Sequence, residues 1–360
     1  MGRILFVAMH RPDRSPSQRF RFEQYIGYLR QNGFESDYSY LIESAADDKV
    51  FYSPGNYLGK MGIFLKSAAK RLGNVLSLNK YDIIFIQREA FMIGTTIFEQ
   101  IFANSKAKVV FDFDDSIWIQ NVTDSNKALL FLKNPNKTGD IIGKSDLIFA
   151  GNDYLADYAR QFNPNVVVVP TTIDTEEYQR EPQPDSDRVC VGWSGSVTTI
   201  IYFEEAVPAL RLLKAKYGDR VYFKVIGDGD YRNEELGIRG LPWKKDTEVH
   251  DLSEIDIGIM PLPDDEWANG KCGLKGLQYM ALEIATLMSP VGVNSTIIED
   301  GVNGFLASEP QEWVEKISRL IDNPSLRRVM GSAGRQTVVD HYSVLSERDH
   351  YLRLFRELTA

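Results

Sequence analysis

Short unbroken apolar runs, separated by helical patterns, organise the first half of the chain. The runs at 4–9, 81–87, 109–113, 147–150 and 166–169 are four to seven residues long and rich in Ile, Val and Phe. Strands covered on both faces carry such runs, whereas half-exposed strands alternate. Between them, 18–32, 57–76, 94–104 and 153–162 show the helical period; in the first, Tyr25, Ile26 and Leu29 face inward and Gly33 supplies the stop. Strand, helix, strand at this rhythm predicts βαβ units and a parallel sheet.

Residues 181–187 interrupt the pattern with two prolines and three acids, which predicts a linker. The pattern then restarts, with strands expected at 189–191, 221–226, 255–260 and 286–288. Helices are expected at 200–216, 275–283, 312–321 and 325–341, with Pro208 bending the first. The expected organisation is therefore two Rossmann-like α/β domains in tandem, 1–180 and 188–341. The tail 342–360 carries enough apolar residues (Leu345, Tyr351, Leu352, Phe355) to return to the first domain. Ligands of open α/β sheets gather at the carboxyl ends of the strands, so two such domains predict a ligand site in a facing cleft.

Composition narrows the function classes. The 360 residues hold 41 Lys and Arg against 50 Asp and Glu, a net charge of −9. An acidic chain is a poor match for phosphate backbones, so nucleic acid is excluded as a partner. No run reaches 18 apolar residues, and the first apolar run, broken at His10-Arg11-Pro12, is too short for a secretory segment. Cys190 and Cys272 form neither a disulfide framework nor a metal spacing, which suits a cytoplasmic protein.

The charge is uneven. Residues 1–180 hold 21 basic and 21 acidic side chains, and residues 49–81 hold six basic and none acidic. Within that run Tyr57, Met61, Phe64, Leu65, Ala68, Leu72, Val75 and Leu76 share one helix face. Such a helix either packs its apolar stripe on the core or lies on an anionic membrane, making 57–80 a candidate peripheral membrane contact.

Candidate chemistry sits at strand ends. The strand at 189–191 runs into Gly192-Trp193-Ser194-Gly195-Ser196 and a helix. Gly195 and Ser196 could bring amides and a hydroxyl to a phosphate, or could simply make a tight turn. Gly227-Asp228-Gly229 is a second, equally ambiguous turn. Lys271 and Lys275 bracket a helix start, where cations oppose the dipole unless an anion lies between them. Gln278 shares a face with Lys275 and is placed for a sugar or ribose hydroxyl. Trp243 follows Pro242 in a loop and is a candidate base contact, or a core residue. In the first half, Asp112, Asp114 and Asp115 end a buried strand, where they would bind hydroxyls or cap a helix. His10 ends the first strand, and Arg19 and Arg21 sit in the first turn of the next helix, where they would contact an acceptor or make surface ion pairs.

Gly270–Ala281, Ser289-Pro290-Val291-Gly292-Val293-Asn294, Ile297-Ile298-Glu299-Asp300-Gly301 and Asn303-Gly304-Phe305-Leu306 together resemble the C-terminal domain of family 4 glycosyltransferases. The similarity extends to Ile86-Gln87-Arg88-Glu89, Asp112 to Trp118 and Pro170-Thr171-Thr172-Ile173-Asp174. It implies the GT-B fold and a retaining enzyme that uses nucleotide-sugar donors with no required metal or other cofactor. The family usually has two glutamates eight positions apart; here those positions are Gly270 and Gln278. Its usual Arg and Lys of the first glycine turn are Trp193 and a residue near Thr199, and its histidine falls near Asp112 or Asp114.

The expected activity is transfer of a hexose from a nucleotide-diphosphate sugar to a glycan or lipid-linked sugar, in surface polysaccharide or glycoconjugate biosynthesis. Gly195, Ser196, Trp243, Lys271, Lys275 and Gln278 would bind the donor, and His10, Arg19, Arg21 and Asp114 the acceptor. Asp112, Asp114 and Lys275 would serve catalysis. The alternatives are a GT-B nucleotide-sugar epimerase, with Asp112 or Asp114 as acid/base, and a non-catalytic protein that binds a membrane surface.

Overall fold

The computed structural model describes residues 2–119, 134, 136–184 and 186–360; Met1 and Asp185, which the sequence places next to the first strand and in the linker, lie outside them. The chain forms two compact units, one of Met1–Thr171 with Arg348–Ala360 and one of Thr172–Glu347.

In the first unit six strands, β1 (Arg3–His10), β2 (Glu35–Ile42), β3 (Ile83–Gln87), β4 (Lys108–Phe113), β5 (Leu147–Ala150) and β6 (Val166–Val168), make one sheet. Its order is β2-β1-β3-β4-β5-β6 and every pair is parallel. The inner strands are those expected from apolar runs. The strand β2 was not expected, because Glu35-Ser36-Asp37-Tyr38-Ser39-Tyr40 mixes polar and aromatic positions. It is an edge strand with one neighbour, which tolerates that composition. The core is aromatic: Phe6, Phe22, Phe85, Phe149 and Phe355 are all fully buried. Phe6 stacks on Phe22 at 5.1 Å, and Tyr25 on Tyr351 at 4.2 Å, so residues of the C-terminal helix complete this core.

The helix expected at 18–32 is three pieces. An α turn Pro16–Gln18 leads into a π-helical turn Arg19–Glu23 and then the helix Gln24–Gln31. The π turn changes which residues face inward, and it buries Arg19 and Arg21 along with Phe20 and Phe22.

The second unit has a five-stranded parallel sheet of β7 (Val189–Ser194), β8 (Val221–Ile226), β11 (Ile257–Met260), β12 (Ala285–Met288) and β13 (Phe305–Leu306), in the order β13-β12-β11-β7-β8. A small antiparallel hairpin, β9 (Arg232–Asn233) and β10 (Ile238–Arg239), lies outside it. The helix expected at 200–216 is broken into Ile200–Glu204 and Val207–Tyr217, and Pro208 occupies the first turn of the second piece. That position needs no amide hydrogen bond, so the proline starts a helix and does not bend one.

The division falls at Thr171/Thr172, ahead of the proline-rich 181–187. Hydrogen bonds explain the difference. Arg335 donates to the carbonyls of Thr175 (3.1 Å) and Tyr178 (2.9 Å), and Arg180 to that of Ile255 (2.8 Å). The Glu181 amide donates to Ser253 Oγ at 3.0 Å. Residues 172–181 are therefore bound into the second unit, and the prolines mark only a surface loop.

Two glycines place the helix Leu274–Ala281. Gly273 caps its N-terminus at φ 71°, and a Cβ there would lie 2.4 Å from Ile297 Cδ1. A Cβ on Gly276 would lie 1.7 Å from Met288 Cε. Gly273→Ala combines backbone strain with a clash, so it should cost about 1–3 kcal/mol in urea unfolding. An unchanged midpoint would contradict this account of the turn.

Candidate functional site

The second unit builds its candidate site around the helix Leu274–Ala281, which carries Lys275 and Gln278. No side chain caps its N-terminus and its first turn holds no acid, so the first amides and the positive end of the dipole have no carboxylate of that turn beside them. Lys271 and Lys275 stand at this end. The Lys275 ammonium lies 4.6 Å from the centre of the Trp193 ring, and that of Lys271 lies 5.2 Å from Trp267 and 5.9 Å from Tyr202. Aromatic faces thus hold both cations at the helix start.

The helix itself is anchored from below. Gln278 is buried, and its Nε2 donates to Tyr178 Oη and to Glu248 Oε1, both at 3.0 Å. Glu248 also accepts from Trp243 Nε1 at 2.9 Å and from the Tyr178 hydroxyl at 2.7 Å. Tyr279 Oη accepts from the Ser194 amide at 2.7 Å, tying the helix to β7. Burial pushes the Tyr279 phenol up to about 12, so it stays protonated at neutral pH.

Several residues expected at or beside the donor are engaged by the protein itself. Trp193 is a fully buried residue inside β7, because the strand continues past the expected turn. The Trp243 indole nitrogen and the Gln278 amide face Glu248, so each of these groups serves the protein network. Gly195 makes the close turn after β7: a Cβ there would meet the Trp193 ring at 2.2 Å. The Ser196 hydroxyl lies 3.1 Å from those of Thr198 and Thr199, capping a short 3-10 turn and not a long helix.

In the first unit the carboxylates at the end of β4 meet arginines. Asp112 is fully buried, and Arg21 donates to its Oδ1 through Nε at 3.1 Å and NH2 at 2.5 Å. Another Arg21 nitrogen donates to the Val169 carbonyl. Burial raises the Asp112 carboxyl while Arg21 opposes that rise. Asp112 and Arg21, expected at a ligand or in surface pairs, are instead engaged with each other: the π turn carries Arg21 inward, and the two form a buried pair. Arg19 is also buried, near Asp13 and over the Phe20 ring. Arg88 sits just after β3 at φ 62° and binds Asp114 through Nε at 2.9 Å and Ser17 Oγ through NH2 at 2.8 Å. Although burial acts against it, this arginine keeps the Asp114 carboxyl below its ordinary range. An ionised Asp114 can accept a hydrogen bond from a hydroxyl but cannot serve as a proton donor.

His10 ends β1, with Nε2 2.9 Å from the Tyr52 hydroxyl. Asp48 is nearby and accepts from Arg11 at 2.5 Å and Arg14 at 2.9 Å. Sequence reasoning named neither Tyr178 nor Glu248, and it left Arg88 without a role. Tyr178 and Glu248 meet across 70 positions, so no local spacing reveals them.

Burial, reinforced by the charge of Arg14, lowers the His10 pKa from 6.5 to about 4. Between those values the unfolded chain binds a proton that the folded chain does not, so this group lowers stability as pH falls below 6.5. His10→Asn removes that term. Relative to its own value at pH 7.5, the variant should lose about 1–2 kcal/mol less than the wild type by pH 5 in urea titrations. Parallel pH profiles would contradict a neutral buried imidazole.

Comparison with known proteins agrees with this architecture. Residues 188–323 match the family described as glycosyl transferases group 1. Glycosyltransferase 1 domain-containing protein 1 of Xenopus tropicalis is 37% identical over 145 residues, which is 38% of this chain and 42% of that protein. The chain thus matches under half the length of that relative. Among solved structures, Anabaena HepE in complex with UDP-glucose is 14% identical at a TM-score of 0.70, covering 99% of this chain and 100% of that one. Sucrose-phosphate synthase from Thermosynechococcus elongatus is 12% identical at a TM-score of 0.67, covering 99% of each. At these identities the likeness is one of fold. Residues 188–323 are therefore similar to the group 1 glycosyltransferases, and the chain has the GT-B fold of these solved structures.

Proposed function

We propose that the protein is a retaining glycosyltransferase, which moves a hexose from a nucleotide-diphosphate sugar to a glycan or lipid-linked sugar acceptor. Its setting in this reading is cytoplasmic surface polysaccharide or glycoconjugate biosynthesis. The observation that carries the reading is the start of the helix Leu274–Ala281, with no side-chain cap, no acid in its first turn, and Lys271 and Lys275 held beside it on aromatic rings. That arrangement suits a diphosphate, whose negative charge grows as the glycosidic bond breaks. The UDP-glucose bound to HepE makes a uridine donor the first to test.

The acceptor hydroxyl would attack on the face that the diphosphate leaves, with the departing phosphate taking its proton. Asp114, ionised beside Arg88, is the carboxylate assigned to an acceptor hydroxyl. An epimerase reading loses support, because Asp112 is sealed against Arg21 and Asp114 is held as the anion. A non-catalytic protein is favoured by one observation, the commitment of the Gln278 amide to Tyr178 and Glu248.

Thermal-shift measurements with millimolar nucleoside diphosphates and their sugars separate these readings. One base should raise the midpoint, and Lys275→Ala should abolish the shift while leaving the unliganded unfolding free energy within about 1 kcal/mol of wild type. Turnover of that donor should fall by about tenfold or more in Asp114→Asn, the cost of one charged hydrogen bond. A nucleotide shift without turnover on any acceptor would favour the non-catalytic protein.

A further inference from the structure

The helix Tyr57–Leu76 is inverted relative to an ordinary surface helix. Its 20 residues bury only Ile63, Ser67 and Arg71. Arg71 has no exposure and is fully engaged: Nε donates to the Ala90 carbonyl (2.5 Å), NH2 to that of Ala8 (3.0 Å) and NH1 to Ser39 Oγ (2.7 Å) and Asn74 Oδ1 (3.1 Å). The outward face is apolar. Leu58 is 90% exposed, Leu76 88%, Leu65 60%, Met61 56% and Leu72 55%. At 100° per residue these five fall within about 60° of one another, in a row about 27 Å long. Packing on the unit's own core, one of the two readings of the sequence pattern, is thus excluded for this row: the helix meets the core on its other side, through Ile63, through Phe64 on the Phe91 ring at 5.2 Å, and through the polar latch of Arg71.

Charge identifies what covers the row. The helix contains no acidic residue, and residues 49–81 contain none either. Lys66 is exposed on the flank of the helix, about 80° round from the nearest member of the row, and Lys49 and Lys80, which precede and follow the helix in sequence, are exposed; Lys70 is bound to Glu43. In a chain of net charge −9 this is a local cationic surface around a contiguous apolar one. No helix among the described residues is long and apolar enough to cross a membrane.

We propose that Leu58, Met61, Leu65, Leu72 and Leu76, with Lys66 on the flank of the same helix, form a docking face for an anionic lipid surface. The helix would lie in the plane of the headgroups with its apolar row among the acyl chains, and the exposed lysines would meet lipid phosphates. This adds a way of reaching a lipid-linked acceptor to the transferase reading, but it rests on the patch alone.

The test is sedimentation of the full chain with sucrose-loaded vesicles, without any sugar donor. Vesicles of phosphatidylglycerol and phosphatidylcholine should bind the protein, and pure phosphatidylcholine vesicles should bind it at least about fivefold more weakly. Leu65→Glu with Leu72→Glu should cut binding to the anionic vesicles by at least about tenfold, since each removes a leucine that would enter the acyl chains. Both positions are exposed, so an unchanged melting midpoint should confirm the fold of the variant. Absence of binding to anionic vesicles at low salt would overturn the proposal. So would a concentration-dependent dimer that the same substitutions abolish, since the row would then face a second copy. Nucleotide binding is measured separately, so failure of the transferase reading would leave this result intact.

Discussion

The buried carboxylate of Glu248 is the constraint on which the candidate donor site depends. It accepts from Tyr178, Trp243 and Gln278, three donors from three separate segments. A buried carboxylate is costly unless its oxygens are satisfied, and here the donors that satisfy it also fix the structure. Gln278 brings in the helix Leu274–Ala281, Tyr178 the segment that enters the second unit, and Trp243 the loop after the small hairpin. With Tyr279 on Ser194 as a second anchor, the helix can present Lys275 and its first amides in one place. An electrostatic site works through such pre-organisation, because donors already aligned need no rearrangement when charge develops.

The first unit uses charge differently. Arg21 and Asp112 neutralise each other within the core, and the π turn at Arg19–Glu23 is what points the arginine inward. A buried pair of this kind is weak evidence for net stability, but loss of one partner leaves an uncompensated charge, at a cost of about 3–5 kcal/mol. Arg88 performs the partly buried counterpart, holding Asp114 ionised at the end of β4. One arginine thus supports the frame and the other sets the protonation of the group proposed to meet substrate.

Much of the fold was legible in the sequence for a simple reason. Strands covered on both faces have apolar runs, and every inner strand of the first sheet coincides with one, while those of the second sheet overlap the shorter or interrupted runs at 189–191, 255–260 and 286–288. The edge strand β2 was missed because an edge tolerates polar residues. The break near Pro208 and the π turn were missed because both depend on local geometry that period counting averages out. The boundary was displaced because side-chain hydrogen bonds from Arg180 and Arg335 to backbone carbonyls are invisible to composition. The site was legible in part. Lys271 and Lys275 stood out through their conflict with the helix dipole, a local signal. Glu248 and Tyr178 gave none, since their contact joins residues 70 apart. Asp112 looked like a ligand-facing acid because its neighbour Arg21 is 91 positions away. The amphipathic period of Tyr57–Leu76 was visible, but not its direction, which the burial of Ile63, Ser67 and Arg71 reveals.

Amide hydrogen exchange with and without a saturating nucleoside diphosphate tests the central claim most directly, because it reports on the helix start itself. The account predicts that protection on binding centres on the amides of Leu274, Lys275 and Gly276. Protection confined to other segments, with those three amides unchanged by a bound nucleotide, would contradict it.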